Sequence, residues 1–549
     1  FSFIPITELH LSGLANREGF SGSTKYLYFF GTIALFILLI ASVNYVNLAT
    51  ARVSTRFKEI GIRKTLGAQR SQIALQFLGE SIFLCLVAFV LSVSLAEFLL
   101  PFFNDLFGTN LVWEKNSAFL LFSAIGAVLV GVLAGLYPSF YLSKFSPSDV
   151  LKSIHTSGSS GTLLRKSLVV SQFAIALILI IGSLVIFKQL EYAQSKDLGF
   201  EGEQVMVIEL PNKIATQKKN TIVNNLRNRS GVISATISDA IPGSFGASFI
   251  MSPDDLSPDH NVPGNTKEIE YSIHLYPAIV DYHYFETLNM SLIAGRNFSE
   301  DYPSDFENGY IINEKAAEAL GWKPVEAVGK TFGIKKEGTV IGVVSNFHLK
   351  SLHEDIPPVS FQLHAGTNWS NTEKIAVKVT PDNIPNVIND LKEVFAEYTP
   401  YQTLNYEFLD DKFDAMYRTE KRLGQISGLF TVIAIFIACL GLFGLAAYSA
   451  ERRTKEIGIR KALGASITNI LALLSKDFVK LVILGFMFAI PISWYAMNQW
   501  LADFAYRIEI GPGIFALAGG TALVIALLTV SWQSIKAALA NPVESLRSE

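Results

Sequence analysis

Long apolar runs separated by short polar segments occupy both ends of the chain, and a predominantly polar stretch at residues 191–422 lies between them. A membrane-spanning helix needs about 20 consecutive apolar residues. Seven runs reach that length and predict spans at residues 26–49, 79–100, 118–142, 167–187, 425–448, 479–501 and 514–535. The pattern therefore predicts an α-helical integral membrane protein with a mixed α+β extracytoplasmic domain.

The central stretch has the pattern of a soluble domain of one or two lobes. Short alternating apolar segments predict strands at Val205–Leu210, Val340–Val344 and Ile375–Val379. Longer apolar periodicity predicts helices at Ile311–Leu320 and Ile384–Tyr398.

One eleven-residue segment occurs twice. The first copy runs from Lys58 to Ala68 and the second from Lys455 to Ala465, and ten of the eleven positions are identical. Each copy follows one apolar run and precedes another. Because Lys and Arg close to span ends mark the cytoplasmic side, the two copies predict one membrane module present twice in the same orientation.

The repeated segment carries more than positive charge. Glu59 and Arg63 are four residues apart, as are Glu456 and Arg460, so each pair supports a short helix, and Gly67 can end the first helix with a left-handed cap. A basic loop that only fixes orientation is one interpretation. The repeated Glu, glycines and isoleucines favour a docking element for a partner.

The segment resembles the cytoplasmic signature of the FtsX-like permease family, the membrane subunits of MacB-type ABC transporters. In that family it forms the coupling helix that sits on the ATPase. The resemblance implies ATPase-coupling roles for Lys58, Glu59, Ile60, Gly61, Arg63, Lys64 and Gly67, and for Lys455, Glu456, Ile457, Gly458, Arg460, Lys461 and Gly464. In that scheme the Glu and Arg residues orient the helices, and Gly61 and Gly458 allow close approach.

Motifs of the central stretch resemble the MacB-like periplasmic core domain. They are Tyr284–Leu288, Gly295–Phe298, Ile312–Ala317, Val328–Lys330 and Val340–His348. The expected organisation is the end of a first periplasmic domain at 1–24, a first permease module of three spans at 25–165, a fourth span at 166–190, the periplasmic core domain at 191–422 and a second permease module of three spans at 423–549. The repeat predicts one further span and most of one further domain before residue 1, which would make eight spans in full.

Polar residues within the spans are few. Asn44 and Asn47 lie near the cytoplasmic end of the first span, where hydrogen bonding between helices is the favoured interpretation. The resemblance implies that both asparagines and the spans transmit motion. Ionisable residues occur only near span ends, which does not favour a proton-coupled transporter. After the repeated segments, Gln69 stands where the second copy has Ser466, so only the second copy has a serine to begin its next helix.

Composition and motifs give no support for several kinds of site. The net charge of −3 gives no reason to expect nucleic acid binding. Cys85 and Cys439 lie inside apolar runs and are expected to be packing residues. His348 and His353 are five apart, but surface or hydrogen-bonded histidines are favoured over metal ligands. No catalytic, cofactor-binding or metal-binding residue is predicted, and no phosphate-binding loop occurs in the sequence, so ATP and Mg are expected on a partner ATPase.

The predicted function is that of a membrane permease subunit of an ABC transporter. It would couple ATP hydrolysis by a separate ATPase, expected in two copies, to movement of periplasmic domains for export or extrusion. Membrane lipid and a periplasmic adaptor, outer-membrane channel or hydrolase are the other expected partners. The expected location is the bacterial inner membrane, with residues 191–422 in the periplasm. The alternatives are a regulatory scaffold that activates a cell-wall hydrolase or relays a signal, and lipoprotein release.

Overall fold

The computed structural model describes residues 24–539 except 52, 108–109, 113–116, 144–158, 211–217, 247, 258–271, 335–336, 364–373 and 399–403. The expected end of a first periplasmic domain at 1–24 therefore lies almost entirely outside the described residues. The chain forms two compact units. One is helical and takes residues up to Phe187, Arg422–Gln499 and the residues from Glu509 onwards. The other takes Lys188–Lys421 and Trp500–Ile508.

In the described part of the chain before residue 196 there are five helices: α1 (Thr24–Ala51), α2 (Val53–Thr65), α3 (Arg70–Phe107), α4 (Ser117–Ser143) and α5 (Ser159–Ser195). Gly131 and Gly135 let α4 approach α3 closely. A Cβ added to Gly131 would lie 2.9 Å from Ile82 Cα, and one added to Gly135 would lie 2.7 Å from Ser81 Cβ. Small residues are typical of such close packing between membrane helices.

The second unit is built on one eleven-stranded sheet. Its strands are β1 (Val205–Glu209), β2 (Val232–Ser238), β3 (Phe249–Met251), β4 (Ile273–Val280), β5 (Leu292–Gly295), β6 (Gly309–Asn313), β7 (Thr331–Phe332), β8 (Gly338–Val344), β9 (Val359–Leu363), β10 (Lys374–Val379) and β11 (Tyr406–Phe408). The order is β11-β1-β10-β2-β4-β9-β6-β8-β5, with β3 on β4 and β7 on β8. The pairs β4–β9 and β6–β8 are parallel, and the other pairs are antiparallel.

Helices cover both ends of this sheet. They are α6 (Lys219–Arg227), α7 (Pro253–Leu256), α8 (Tyr284–Thr287), α9 (Pro303–Asn308), α10 (Glu314–Ala319), α11 (Pro324–Ala327), α12 (Ile384–Tyr398) and α13 (Leu409–Met416). The apolar face of α12 and that of α6 pack on β1, β2 and β10. A second cluster packs α10 and α11 on β6 and β8. The predicted mixed α+β domain is confirmed.

The predicted helix at Ile311–Leu320 is wrong in its first part. Ile311 and Ile312 belong to β6, and the helix begins at Glu314. All five residues of β6 are buried between β8 and β9, and a strand that is buried on both faces lacks the alternation that identifies a strand. Asn313 then caps α10, because its Oδ1 accepts a hydrogen bond of 3.0 Å from Ala316 N.

The chain ends with α14 (Arg418–Arg452), α15 (Thr454–Ala462), α16 (Ile467–Leu501) and α17 (Pro512–Leu539). Within the described residues, six helices are long and apolar enough to cross a membrane: α1, α3, α4, α5, α14 and α17. The span predicted at 479–501 lies inside α16, which is not among the six and carries Lys476, Asp477 and Lys480 in its first half. The count of seven spans therefore stays a prediction.

Candidate functional site

The two copies of the repeated segment fold into short helices with the same ion pair. Arg63 Nη2 lies 2.9 Å from Glu59 Oε1 in α2, and Arg460 Nη2 lies 2.8 Å from Glu456 Oε1 in α15. All four side chains are about half exposed. Residues four apart face each other on a helix, so the predicted short helix and its pair are confirmed in both copies.

Both helices end in the same left-handed cap. Gly67 has a φ of 94°, its N–H donates to Lys64 O at 3.1 Å, and Ala68 N–H donates to Arg63 O at 3.0 Å. In the second copy Gly464 has a φ of 88°, with Gly464 N to Lys461 O at 3.0 Å and Ala465 N to Arg460 O at 2.9 Å. These two bonds define a Schellman cap, which needs a residue that tolerates positive φ.

The two helices also bury and expose equivalent apolar residues. Ile60 and Ile457 are buried, and Ile457 packs against Ile470 and Leu474 of α16. Gly61 and Gly458 are buried as well. By contrast, one isoleucine and one leucine of each copy stay exposed, with exposed fractions of 61% and 82% for Ile62 and Leu66, and of 51% and 82% for Ile459 and Leu463. We call these four side chains the coupling surface.

Basic residues flank the coupling surface. In α2, burial and then the charge of Arg70 lower the pKa of the Lys64 ammonium from its usual value. Lys461 occupies the equivalent position in α15. The side chains of Lys58 and Lys455 lie outside the described residues. Each copy thus combines one exposed isoleucine and one exposed leucine with basic residues nearby in sequence.

The helix after each copy begins differently, as predicted. Ser466 Oγ accepts a hydrogen bond of 3.3 Å from Asn469 N and caps α16. Gln69 has no such role in α3; its own N–H donates to Gln72 Oε1 at 3.0 Å.

The two asparagines of α1 have different environments. Asn44 Nδ2 donates to Ile437 O of α14 at 2.8 Å, so the predicted hydrogen bond between helices is confirmed. Asn47 is fully buried, and its amide has no hydrogen-bond partner among the described residues. For Asn47 the predicted interhelical bond is therefore not observed.

In the sheet unit, His348 and His353 each contact an aromatic ring. His353 stacks on Phe504 with 4.0 Å between ring centroids, and its Nδ1 lies 3.1 Å from Ser351 Oγ. His348 is only 4% exposed and meets Tyr506 edge-on. Burial lowers the pKa of His348 to about 4, and the nearby Lys196 ammonium acts in the same direction. Among the described residues, no group of three His, Cys, Asp or Glu side chains is placed to hold a metal ion.

Sequence patterns did not identify the residues that hold the segment 500–508, which leads from the end of α16 towards α17 and is called the 500–508 loop. Gln189, near the C-terminal end of α5, makes two hydrogen bonds to the backbone of this loop. Its Nε2 donates to Tyr506 O at 3.0 Å, and its Oε1 accepts from Ile508 N at 2.9 Å. Tyr506 N donates to Leu352 O at 3.1 Å, and Leu352 N donates to Tyr417 OH at 2.8 Å. We call Gln189, Leu352, Tyr417 and Tyr506 the loop-binding cluster. The one signal in the sequence was a glutamine two positions after the span predicted at 167–187.

Comparisons with known proteins agree with this division of the chain. A family model described as FtsX-like permease C-terminal matches residues 31–147 and again 428–542. A second model, the MacB-like periplasmic core domain, matches residues 217–394. Together the two models cover well over half of the chain, and each copy of the permease domain contains one copy of the repeated segment.

Individual relatives match parts of the chain. The macrolide export ATP-binding/permease protein MacB of Neisseria gonorrhoeae is 27% identical over 278 residues, which are 48% of this chain and 42% of the relative. The protein of the same name from Campylobacter jejuni is 30% identical over 119 residues, or 22% of this chain and 18% of the relative. The chain thus matches less than half the length of these curated relatives. The crystal structure of the periplasmic region of MacB from Actinobacillus actinomycetemcomitans is 20% identical, covers 40% of this chain and 94% of that structure, and has a TM-score of 0.27.

The two permease matches lie on the helical unit except for residues 500–508, and the periplasmic-core match lies within the sheet unit. The order of the matches along the chain is permease, periplasmic core, permease. This chain belongs to the FtsX-like permease family and is a multi-pass membrane protein that carries two copies of the family's membrane domain around a MacB-like periplasmic core domain.

Proposed function

We propose that this chain is the permease subunit of a MacB-type ABC transporter and that a separate ATPase docks on α2 and α15. ATP-driven movement of the ATPase subunits then passes through the spans to the periplasmic core domain and drives export. The observation that carries the proposal is the coupling surface: two helices 397 positions apart in sequence have the same ion pair, the same cap and the same exposed Ile and Leu.

The local chemistry supports docking rather than catalysis. A helix held by a Schellman cap and an internal ion pair is a preorganised surface, so little conformational entropy is lost when a partner binds. Large exposed apolar side chains at such a surface supply the contact area, and the basic neighbours steer an acidic partner. ATP and Mg are assigned to the partner because the 549 residues contain no phosphate-binding loop.

Contacts inside the helical unit support a path for movement. The α15 helix packs against α17, and Ile457 anchors α15 on α16. On the other copy, α1 packs against α4 and hydrogen-bonds to α14 through Asn44. Movement of α15 would therefore reach α16 and α17, and movement of α2 would reach α4 and α14 through α1, which α2 contacts.

The proposed setting is the bacterial inner membrane, with the core domain in the periplasm. A periplasmic adaptor or an outer-membrane channel is a suitable further partner for an exporter of this kind. Within the described residues, no contact favours the alternative of a scaffold that activates a hydrolase.

The proposal is tested by isolating the full-length chain from its native membrane and quantifying the phosphate-loop ATPase that accompanies it. Leu66→Asp combined with Leu463→Asp places a charge on each half of the coupling surface. Since an exposed leucine contributes about 1–3 kcal/mol when a partner buries it, we expect the double variant to retain less than a tenth of the ATPase.

Val112→Asp is the matched control, because Val112 is 78% exposed and lies in the loop between α3 and α4, at the other end of α3 from α2. This control is expected to retain the ATPase fully. An unchanged amount of ATPase on the double leucine variant would contradict the proposed docking surface.

A further inference from the structure

The helices α1 and α14 occupy equivalent places in the two modules, and the structure packs them against each other. Because the copies are 397 positions apart, each residue of α1 has a counterpart in α14. A line of buried or half-buried residues runs along α1 with alternating spacings of four and three, which is the spacing of a coiled-coil seam. The line consists of Ile33, Ile37, Ile40, Asn44 and Asn47.

The counterparts in α14 lie in the same contact. They are Phe430, Ala434, Ile437, Gly441 and Gly444. One apolar cluster holds both members of the first three equivalent pairs, together with Leu179 of α5. Equivalent positions of the two copies thus share one cluster, which is the arrangement expected where an approximate two-fold axis relates the copies. The two helices therefore pack as the halves of a dimer interface do, but within a single chain.

At the fourth equivalent pair the two residues differ in size, since α1 has Asn44 where α14 has Gly441. A Cβ added to Gly441 would overlap Oδ1 of Asn44, so the amide of Asn44 occupies the space that a side chain at position 441 would need. Asn44 is only 8% exposed, and its Nδ2 donates to the backbone oxygen of Ile437, one turn before the glycine. At the next turn, a Cβ on Gly444 would likewise overlap Leu48 of α1.

We infer that the two modules of one chain pair with each other along this seam, and that the contact between Asn44 and Gly441 fixes the pairing as module 1 with module 2. Two copies of α1 would bring asparagine against asparagine where there is room for one amide. Two copies of α14 would bring glycine against glycine and lose the hydrogen bond that Asn44 donates to the backbone oxygen of Ile437. In lipid, helix association depends on close packing and interhelical hydrogen bonds, so either mismatch disfavours pairing between chains.

The consequence is that a single chain brings together both copies of the membrane module and both coupling helices. This inference rests on the packing of α1 and α14 and not on the proposed function. It is therefore tested on the permease alone, by stability and cross-linking, without any ATPase.

The test is a swap of the two residues in the full-length, detergent-solubilised chain. Asn44→Gly leaves two glycines at the crossing, and Gly441→Asn leaves two asparagines. Both single variants are expected to lower the midpoint of thermal unfolding. The double variant Asn44→Gly/Gly441→Asn moves the amide to the other helix, and because the seam is pseudo-symmetric we expect it to recover most of either loss.

Gly441→Ala serves where Gly441→Asn does not fold. It is expected to lower the midpoint and to be rescued by Asn44→Gly. Gly31→Ala in α1 is the matched control, since among the described residues no heavy atom beyond the backbone of its own helix lies within 4 Å of a Cβ there, and it should not lower the midpoint. A double swap whose loss equals the sum of the two single losses would overturn the inferred contact.

Cross-linking identifies which chain supplies the partner helix. Ile33→Cys and Phe430→Cys are introduced together in a chain whose Cys85 and Cys439 are replaced by Ala, and two differently tagged forms are co-expressed. Oxidation is expected to give a product of single-chain mass in which the peptides containing positions 33 and 430 are joined. A product of dimer mass that carries both tags, or the absence of any joined peptide, would overturn pairing within one chain.

Discussion

Burial in an aromatic environment governs the protonation of His348. Its ring lies against Tyr506 and is 4% exposed. Desolvation disfavours the charged imidazolium, and the ammonium of Lys196 adds repulsion, so the folded pKa falls from 6.5 to about 4. The folded domain therefore keeps His348 neutral at pH values where the unfolded chain is protonated.

This shift predicts acid sensitivity of the periplasmic core domain. Above pH 6.5 both states are neutral and the group has no effect. As the pH falls from about 6.5 to about 4, only the unfolded chain binds the proton, so stability decreases, by up to about 3 kcal/mol. His348→Phe keeps a ring beside Tyr506 and removes the titration. Unfolding midpoints measured across this pH range should fall less in the variant than in the wild type.

His283→Gln is the control for replacing a histidine as such, because it removes a half-exposed histidine from the same domain. Equal acid sensitivity in the wild type and His348→Phe would show that His348 does not contribute to it.

At the residue scale, the sequence was informative where neighbours in the chain carry the interaction. Glu59 with Arg63, the cap at Gly67 and the serine at Ser466 all depend on residues within five positions, and each was predicted correctly. His348 was not predicted to be buried, because Tyr506 comes from a loop that is remote in sequence. Long-range contacts of this kind leave no local pattern.

At the scale of elements, the 500–508 loop belongs to the same compact unit as the core domain. Gln189, which is 1% exposed, satisfies one backbone oxygen and one backbone N–H of that loop. Buried backbone groups that lose their partner cost about 1–3 kcal/mol. The loop-binding cluster therefore holds the connection between α16 and α17 to the end of α5 and to the segment around Leu352.

We expect Gln189→Leu to free this loop without unfolding the domain. Leucine has a similar volume but cannot make either hydrogen bond, so the amides of residues 500–508 should exchange with solvent at least about tenfold faster. Hydrogen exchange followed by mass spectrometry measures this directly. Glu191→Gln, an exposed position on the same helix, is the control. Unchanged exchange in the loop of Gln189→Leu would show that the other contacts suffice to hold it.

Elements were predictable to the extent that their pattern was local. The amphipathic helix at Ile384–Tyr398 has the bounds that its periodicity predicted. The segment at Ile311 was predicted to be helical because β6 is apolar on both faces and runs directly into α10. The contact between Gln189 and the 500–508 loop could not be predicted from the sequence. Gln189 precedes the core domain in the chain, whereas the loop follows it.

At the scale of the whole molecule, duplication explains most of the helical unit. The two family matches, the two coupling helices and the equivalent positions along the α1–α14 seam all follow from one repeat. The repeat itself was readable from the sequence. The seam was not, since the offset says which residues are equivalent but not that they touch.

The most direct test of the account is the number of ATPase subunits bound to one chain, counted by native mass spectrometry after gentle purification from the native membrane. We predict two on the wild type, one on either Glu59→Arg or Glu456→Arg, and none on the double variant, because each reversal repels the paired arginine of its own coupling helix. Glu354→Arg breaks an exposed pair of the same i, i+4 geometry in the core domain and should leave two. An unchanged count on the double variant, or a wild-type chain that carries no ATPase, would contradict the account.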